Sequence, residues 1–133
     1  MKKILITRKL LKSNEEKASK LWDVKLNLSD KIYSQNELVE LSKDCDGILC
    51  SIEDKIDKKT IDRFSDSIKI ISNFAVGFGN IDIKTAGEKE IIVTNTPDVL
   101  TNATAEIAML LILGAARRVP EGMQRAKNKN WKW

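Results

Sequence analysis

A doubly wound α/β fold is what this sequence predicts: five parallel strands in the flavodoxin-like order 2-1-3-4-5, followed by one long helix. Three observations carry that expectation. Short apolar runs of strand length alternate with helix-period segments from the first residues onward. The strand runs are near-continuously apolar, as in a parallel sheet covered on both faces. Right-handed crossovers between such strands make the doubly wound order the simplest topology. With 133 residues, 42% of them hydrophobic and 32% charged, the chain has the balance of a compact domain, not of a disordered segment.

Lys3 to Thr7 is the first strand, and Lys9 to Leu21 follows as a helix with Leu10, Leu11, Ala18 and Leu21 at helical spacing. Asp23 to Leu28 alternates, which places Val24, Leu26 and Leu28 on one face of a second strand. Ser34-Gln35-Asn36-Glu37 has the form of a capping box and opens a second helix, with Leu38 and Leu41 turned inward. Gly47 to Ser51 is the third strand, and Asp57 or Thr60 begins a short helix through Phe64. The Ile-rich segment Ile68 to Ala75 is the fourth strand, Asp82 to Lys89 a helix, and Ile91 to Thr94 the fifth strand. After the loop Asn95-Thr96-Pro97-Asp98, Thr101 or Asn102 caps the last helix, with Glu106 in its first turn.

That last helix is unusual. From Ile107 to Ala116 every residue is apolar or glycine, so it lacks the single stripe, about 100° wide, of an amphipathic helix. A helix apolar all round must be buried on all sides, by this sheet, by an oligomer or by another domain. This run of 10 residues falls well short of the roughly 20 that span a bilayer. The amino terminus has no long apolar stretch with a small-residue cleavage site. A cytoplasmic protein is expected, with no membrane partner and with Cys45 and Cys50 as reduced thiols.

Charge and composition narrow the chemistry. Six basic residues stand against Glu121 alone from Gly114 onward, leaving 17 basic and 18 acidic residues before them. That basic end has no interleaved aromatic platform, so no nucleic-acid partner is expected. The absence of histidine removes the commonest general base, Ser–His and Cys–His pairs and most zinc sites. Neither a catalytic residue nor a metal site is assigned within the chain.

Ligands of doubly wound sheets lie beyond the carboxyl ends of the strands, which directs attention to the loops after Thr7, Ser51, Ala75 and Thr94. The third of these reads Val76-Gly77-Phe78-Gly79-Asn80-Ile81-Asp82. A dinucleotide fingerprint would need its third glycine at position 82, where the carboxylate of Asp82 would repel a pyrophosphate. Two readings stay open: a tight turn needing positive φ, and a loop whose free backbone N–H groups suit a small anion such as a carboxylate. A flavin phosphate loop is excluded by Arg8-Lys9-Leu10-Leu11 after Thr7, and a phospho-receiver by Cys50 and Ser51 at the end of strand three.

Taken together, I-K-I-I-S-N-F-A-V-G-F-G-N-I-D, I-I-V-T-N-T-P-D-V-L-T-N-A-T-A-E-I-A and L-L-I-L-G-A-A-R-R, within Ile68 to Arg118, resemble the D-isomer-specific 2-hydroxyacid dehydrogenases, glyoxylate/hydroxypyruvate reductases in particular. The block V-x-N-T-P-D-V-L-T-x-A-T-A-E is specific, and a looser likeness runs through D-G-I-L-C-S-I-E-D-K-I-D to the amino terminus. The resemblance implies a substrate domain over residues 1–100. Residues 101–133 are then an interdomain helix and the start of the connection to a Rossmann domain. It implies that Val76 and Gly77 offer backbone N–H groups to a substrate carboxylate, that Ser51 and Ile52 line the substrate pocket, and that Thr104 contacts a nicotinamide cofactor. The bland alternatives are that Ile52 is ordinary core and that Thr104 only stabilises the first helical turn.

Further expectations follow from the resemblance. The partners are a small 2-keto or 2-hydroxy acid, a Rossmann domain outside these residues, and a second copy bound as a homodimer through the apolar helix. NAD or NADP serves the complete enzyme, with no tight binding to this chain alone. The family's G-x-W segment corresponds to Asn130-Trp131, and the Rossmann glycines and the Arg, Glu and His that follow it cannot be assigned here. The chain alone is therefore expected to be inactive. The competing account is a non-enzymatic module of the same fold that binds a small carboxylate or a protein partner. Gly79 stands where many members carry Asp.

Overall fold

The computed structural model describes residues 1–129. Its elements are β1 (Lys3–Ile6), α1 (Lys12–Leu21), β2 (Asp23–Leu26), α2 (Gln35–Ser42), β3 (Gly47–Ser51), α3 (Lys58–Ile61), β4 (Ile70–Phe74), α4 (Ile83–Glu88), β5 (Ile92–Thr94), α5 (Thr101–Ala116) and α6 (Val119–Lys127). Met1–Pro97 forms one compact unit, and a second begins at Asp98. The strands make one parallel sheet in the order β2-β1-β3-β4-β5, as the sequence predicts.

Register decides what each face carries. Leu5 pairs with Ile48, Ile48 with Ile71 and Ile71 with Val93, so these side chains share a face. They join Leu38 and Val39 of α2, Ile61 of α3 and Ala86 of α4 in one buried cluster. The opposite face carries Ile4, Gly47, Ile70 and Ile92 in line. There, Ala18 of α1 and the following Trp22 border an apolar cavity of about 530 Å³ lined also by Ile4, Val24, Leu49 and Ile70. Its rim at Lys2, Asp46 and Lys69 lies at the amino ends of the strands. Ile92 on this face is 61% exposed. Within this unit, then, the expected cover is complete on one face and partial on the other.

Local hydrogen bonding explains where the elements begin and end. The α1 helix starts at Lys12, not Lys9, because carboxylates hold the preceding backbone: Asp30 accepts from the Lys9 N–H at 2.9 Å and Glu15 from the Leu10 N–H at 2.9 Å. No residue of α1 is fully buried, and Leu11 and Leu21 are exposed. The β2 strand stops at Leu26 because the buried Asn27 turns inward, its Nδ2 donating to the carbonyls of Thr7 (2.7 Å) and Lys31 (2.8 Å). Leu28 is left exposed, off the face expected for it. Asp57 caps α3, which ends at Ile61, before Phe64. The β4 strand begins at Ile70, with Ile68 buried ahead of it, and β5 begins at Ile92.

The capping box of α2 forms as the sequence predicts, with the Ser34 hydroxyl accepting from the Glu37 N–H. The second unit begins differently. The residue before α5 is Leu100, and no side chain caps the helix, so the capping expected of Thr101 or Asn102 does not occur. Arg118, at φ 51°, separates α5 from α6, where Pro120 sits in the first turn. The apolar residues of α5 are exposed: Ile107 by 55%, Leu110 by 63% and Leu113 by 58%. The all-round burial expected of this helix is not supplied by the described residues. No helix among them is long and apolar enough to cross a membrane.

Two outcomes are expected. A Cβ at Gly47 would stand 2.8 Å from Ile70 Cγ2 and 3.3 Å from the Ile70 carbonyl oxygen, both attached to stiff groups. Gly47→Ala should therefore destabilise the fold by about 1–3 kcal/mol, read as a lower urea midpoint. Lys31, with the backbone and hydroxyl of Ser34, holds the Glu37 carboxyl down at about 2 from an ordinary 4.5. A depressed acid stabilises the fold above its unfolded value, and that stabilisation fades as pH falls through the folded value. Glu37→Gln should lower the urea midpoint at neutral pH, and the gap to the parent chain should close as pH falls from about 4.5 to about 2.

Candidate functional site

The carboxyl edge of the sheet brings the four predicted loops together. After β4, three consecutive carbonyls are held by protein donors. Ala75 accepts from the Thr96 N–H at 2.9 Å, Val76 from Asn95 Nδ2 at 2.8 Å and Gly77 from Asn73 Nδ2 at 2.8 Å. Every peptide bond among the described residues is trans, and in a trans peptide the N–H points opposite to its carbonyl. The N–H groups of Val76, Gly77 and Phe78 are thereby turned away from those donors. Among the described residues none of the three donates to a protein acceptor.

Turn geometry does not account for the glycine at 77. No described glycine has positive φ, so the tight-turn reading is not what requires it. A Cβ at Gly77 would meet only Ile52 Cδ1, at 3.9 Å, and so would project between the glycine loop and the loop after β3. Ile52 is 53% exposed and is therefore not core. Phe78 is also exposed, which puts apolar surface beside the free N–H groups.

The loop after β3 is fixed by a buried carboxylate. Asp54 is fully buried, and its Oδ2 accepts from the Ser51 N–H at 2.8 Å and from the Thr7 hydroxyl at 2.5 Å, while Oδ1 has no partner. Asn80 then joins the two loops. Its Nδ2 donates to the carbonyls of Ser51 (3.0 Å) and Asp54 (3.1 Å), and its Oδ1 accepts from Asn73 Nδ2 at 3.0 Å. A parallel bridge between Ile56 and Ile81 reinforces this junction. On the outer side, Arg8 pairs with both Asp30 and Glu53, linking the loop after β1 to the loop after β3. Arg8 and the Lys9 N–H hold the Asp30 carboxyl down at about 2.

Two potential reactive groups are accounted for. Cys50 is buried, which pushes its thiol up to about 12, helped by the nearby Asp54; the thiol donates to Asn73 Oδ1 at 3.4 Å. It is held as a neutral donor, not as a nucleophile. Asp82 caps α4 by accepting from the Thr85 N–H at 2.9 Å. That carboxylate occupies the helix start a pyrophosphate would need, which gives the rejected dinucleotide fingerprint a structural reason.

Of the residues singled out from the sequence, Ser51, Ile52, Val76 and Gly77 lie at this one edge. Thr104 belongs to the second unit, in the first turn of α5, where its hydroxyl donates to the Leu100 carbonyl at 3.1 Å. Asn130-Trp131 lies outside the described residues. Sequence reasoning passed over Asp54, Asn73, Asn80 and Asn95. None carries a local signal, because each acts on partners distant in sequence or across a turn.

Parallel strands in this order, with unengaged backbone N–H groups beside apolar surface at their carboxyl edge, define a doubly wound α/β domain. Residues 4–128 match the catalytic domain of the D-isomer specific 2-hydroxyacid dehydrogenases, and the chain belongs to that family. It is 39% identical to glycerate dehydrogenase of Hyphomicrobium methylovorum over 98% of this chain and 40% of that protein. It is 36% identical to glyoxylate reductase of Thermococcus onnurineus, over 98% of this chain and 39% of that protein. Among solved structures, the NADPH-dependent glyoxylate/hydroxypyruvate reductase from Sinorhizobium meliloti, in complex with NADP and malonate, aligns with a TM-score of 0.73 and 27% identity. That alignment covers 98% of this chain and 39% of that one. The chain thus spans about 40% of the length of the relatives it matches.

The buried carboxylate yields a direct test. Asp54→Ala removes the acceptor of the Ser51 N–H and the nearer of the two acceptors of the Thr7 hydroxyl, which keeps the Leu49 carbonyl at 3.3 Å, and should cost about 1–3 kcal/mol of stability by urea titration.

Proposed function

We propose that this chain is the substrate-binding portion of an NAD(P)-dependent 2-hydroxyacid dehydrogenase, which in its complete form reduces a short 2-keto acid such as glyoxylate or hydroxypyruvate. One observation carries the reading: three adjacent N–H groups, at Val76, Gly77 and Phe78, stand free while the carbonyls of their peptide units are all held. A substrate carboxylate accepts from Val76 and Gly77, and Ser51 and Ile52 form the facing wall. Such bonds are charge-assisted, and two or three of them, offset by desolvation, correspond to a dissociation constant near 1 mM, about 4 kcal/mol. The malonate held by the Sinorhizobium meliloti relative is itself a small carboxylate, which supports this ligand class.

The remaining chemistry is assigned outside these residues. In the complete protein a Rossmann domain holds NAD or NADP, which supplies the hydride, and carries the Arg, Glu and His of the family. This chain's contribution to the cofactor is Thr104. Its hydroxyl proton is engaged by the Leu100 carbonyl, which leaves the oxygen lone pairs to accept from the carboxamide. The exposed α5 is covered by that domain and by a second copy of the chain. Neither hydride nor proton transfer can proceed on residues 1–133 alone, so no glyoxylate turnover with NADH or NADPH is expected from them.

Gly77→Ala tests the reading on a residue whose backbone is compatible with alanine. Thermal stability should be unchanged or higher, by at most about 1 kcal/mol. Glyoxylate binding, followed by calorimetry at millimolar ligand, should be lost because the methyl group fills the space beside Ile52. Undiminished binding would place the ligand elsewhere.

A further inference from the structure

We propose that Asn95 is a positioning residue for this site: it orients the Gly77 N–H toward the ligand by holding the carbonyl of the same peptide unit from behind. The proposal rests on the carboxylate-binding reading of the glycine loop and asks what keeps that loop in its binding form. Gly77 has no Cβ, so the 76–77 peptide meets little steric resistance to rotation. A rotated peptide would present its carbonyl oxygen to an incoming carboxylate and repel it. Asn95 Nδ2 donates to the Val76 carbonyl at 2.8 Å across 19 residues of sequence, and Asn95 is half-buried just beyond β5. One hydrogen bond therefore selects which end of the peptide dipole faces the ligand.

The neighbouring peptides are held in the same way, but by groups less suited to a test. The Ala75 carbonyl is held by a main-chain N–H, that of Thr96. The Gly77 carbonyl is held by Asn73, which is 2% exposed and is itself oriented by Asn80 Oδ1 and the Cys50 thiol. Asn95 shares none of these contacts, so its side chain can be altered without dismantling the junction of the two loops.

The experiment is a titration of the isotope-labelled 133-residue protein with sodium glyoxylate at constant ionic strength, following backbone amide resonances. In the parent chain the amides of Val76, Gly77 and Phe78 should shift saturably. Asn95→Ala should weaken that binding about tenfold and displace the carbonyl carbon resonance of Val76 in the ligand-free protein, with little change in thermal midpoint. Asn95→Leu keeps the side-chain size without the donor and should behave alike, which covers a folding defect of the smaller variant. Parent-like affinity in a folded variant would overturn the positioning role and leave the carboxylate reading intact. If glyoxylate shifts none of the three amides in the parent chain, the reading of the site fails and the positioning role falls with it.

Discussion

The carboxylate of Asp54 is buried with only one of its oxygens served, and the carboxyl edge of the sheet is organised around it. Its Oδ2 gathers the hydroxyl of Thr7 just past β1 and the N–H of Ser51 at the end of β3, while its backbone carbonyl receives Asn80 from beyond β4. Three strand ends are tied together at one buried group. A buried polar group is tolerated only when its partners are fixed, so the partners' own segments become fixed as well. The two loops that frame the candidate site inherit their spacing from that requirement.

From there order passes outward through amides. Asn80 connects the loop after β3 to Asn73, Asn73 holds the Gly77 carbonyl, and Asn95 holds that of Val76. Amide side chains suit this work because each offers both a donor and an acceptor, carries no charge and titrates at no accessible pH. The backbone N–H groups left free there add a modest positive field of their own.

The parts of this architecture that were legible in the sequence are those encoded within a few residues. Ser34 and Glu37 cap α2 as their spacing indicates, and Asp57 caps α3. Strand order followed from alternation and handedness. Other features depend on partners distant in sequence. Asn27 ends β2 by reaching Thr7, 20 residues away, while the apolar alternation runs on to Leu28 and so points to a longer strand. Leu11 and Leu21 stand at helical spacing, yet both are exposed, because cover, not spacing, decides exposure on that face. At the site, Val76 and Gly77 could be picked out because glycine-loop chemistry is local. Asn73, Asn80 and Asn95 could not, because an asparagine among turn residues looks the same whether it faces water or holds a peptide 19 residues away. The apolar run of α5 declared a need for cover without saying what provides it.

Because the donors at the glycine loop are main-chain atoms, mutation of the loop's own side chains cannot remove them. Val76 and Phe78 can change identity while the same three N–H groups persist, provided the carbonyls behind them stay held. If the loop holds an anion as proposed, affinity for it and selectivity for what is attached to it are encoded at different positions, and evolution can alter the second without first giving up the first. Under the proposed reading, a lineage built on this loop can drift among small acids by exchanging wall residues such as Ile52 while the main-chain donors stay in place.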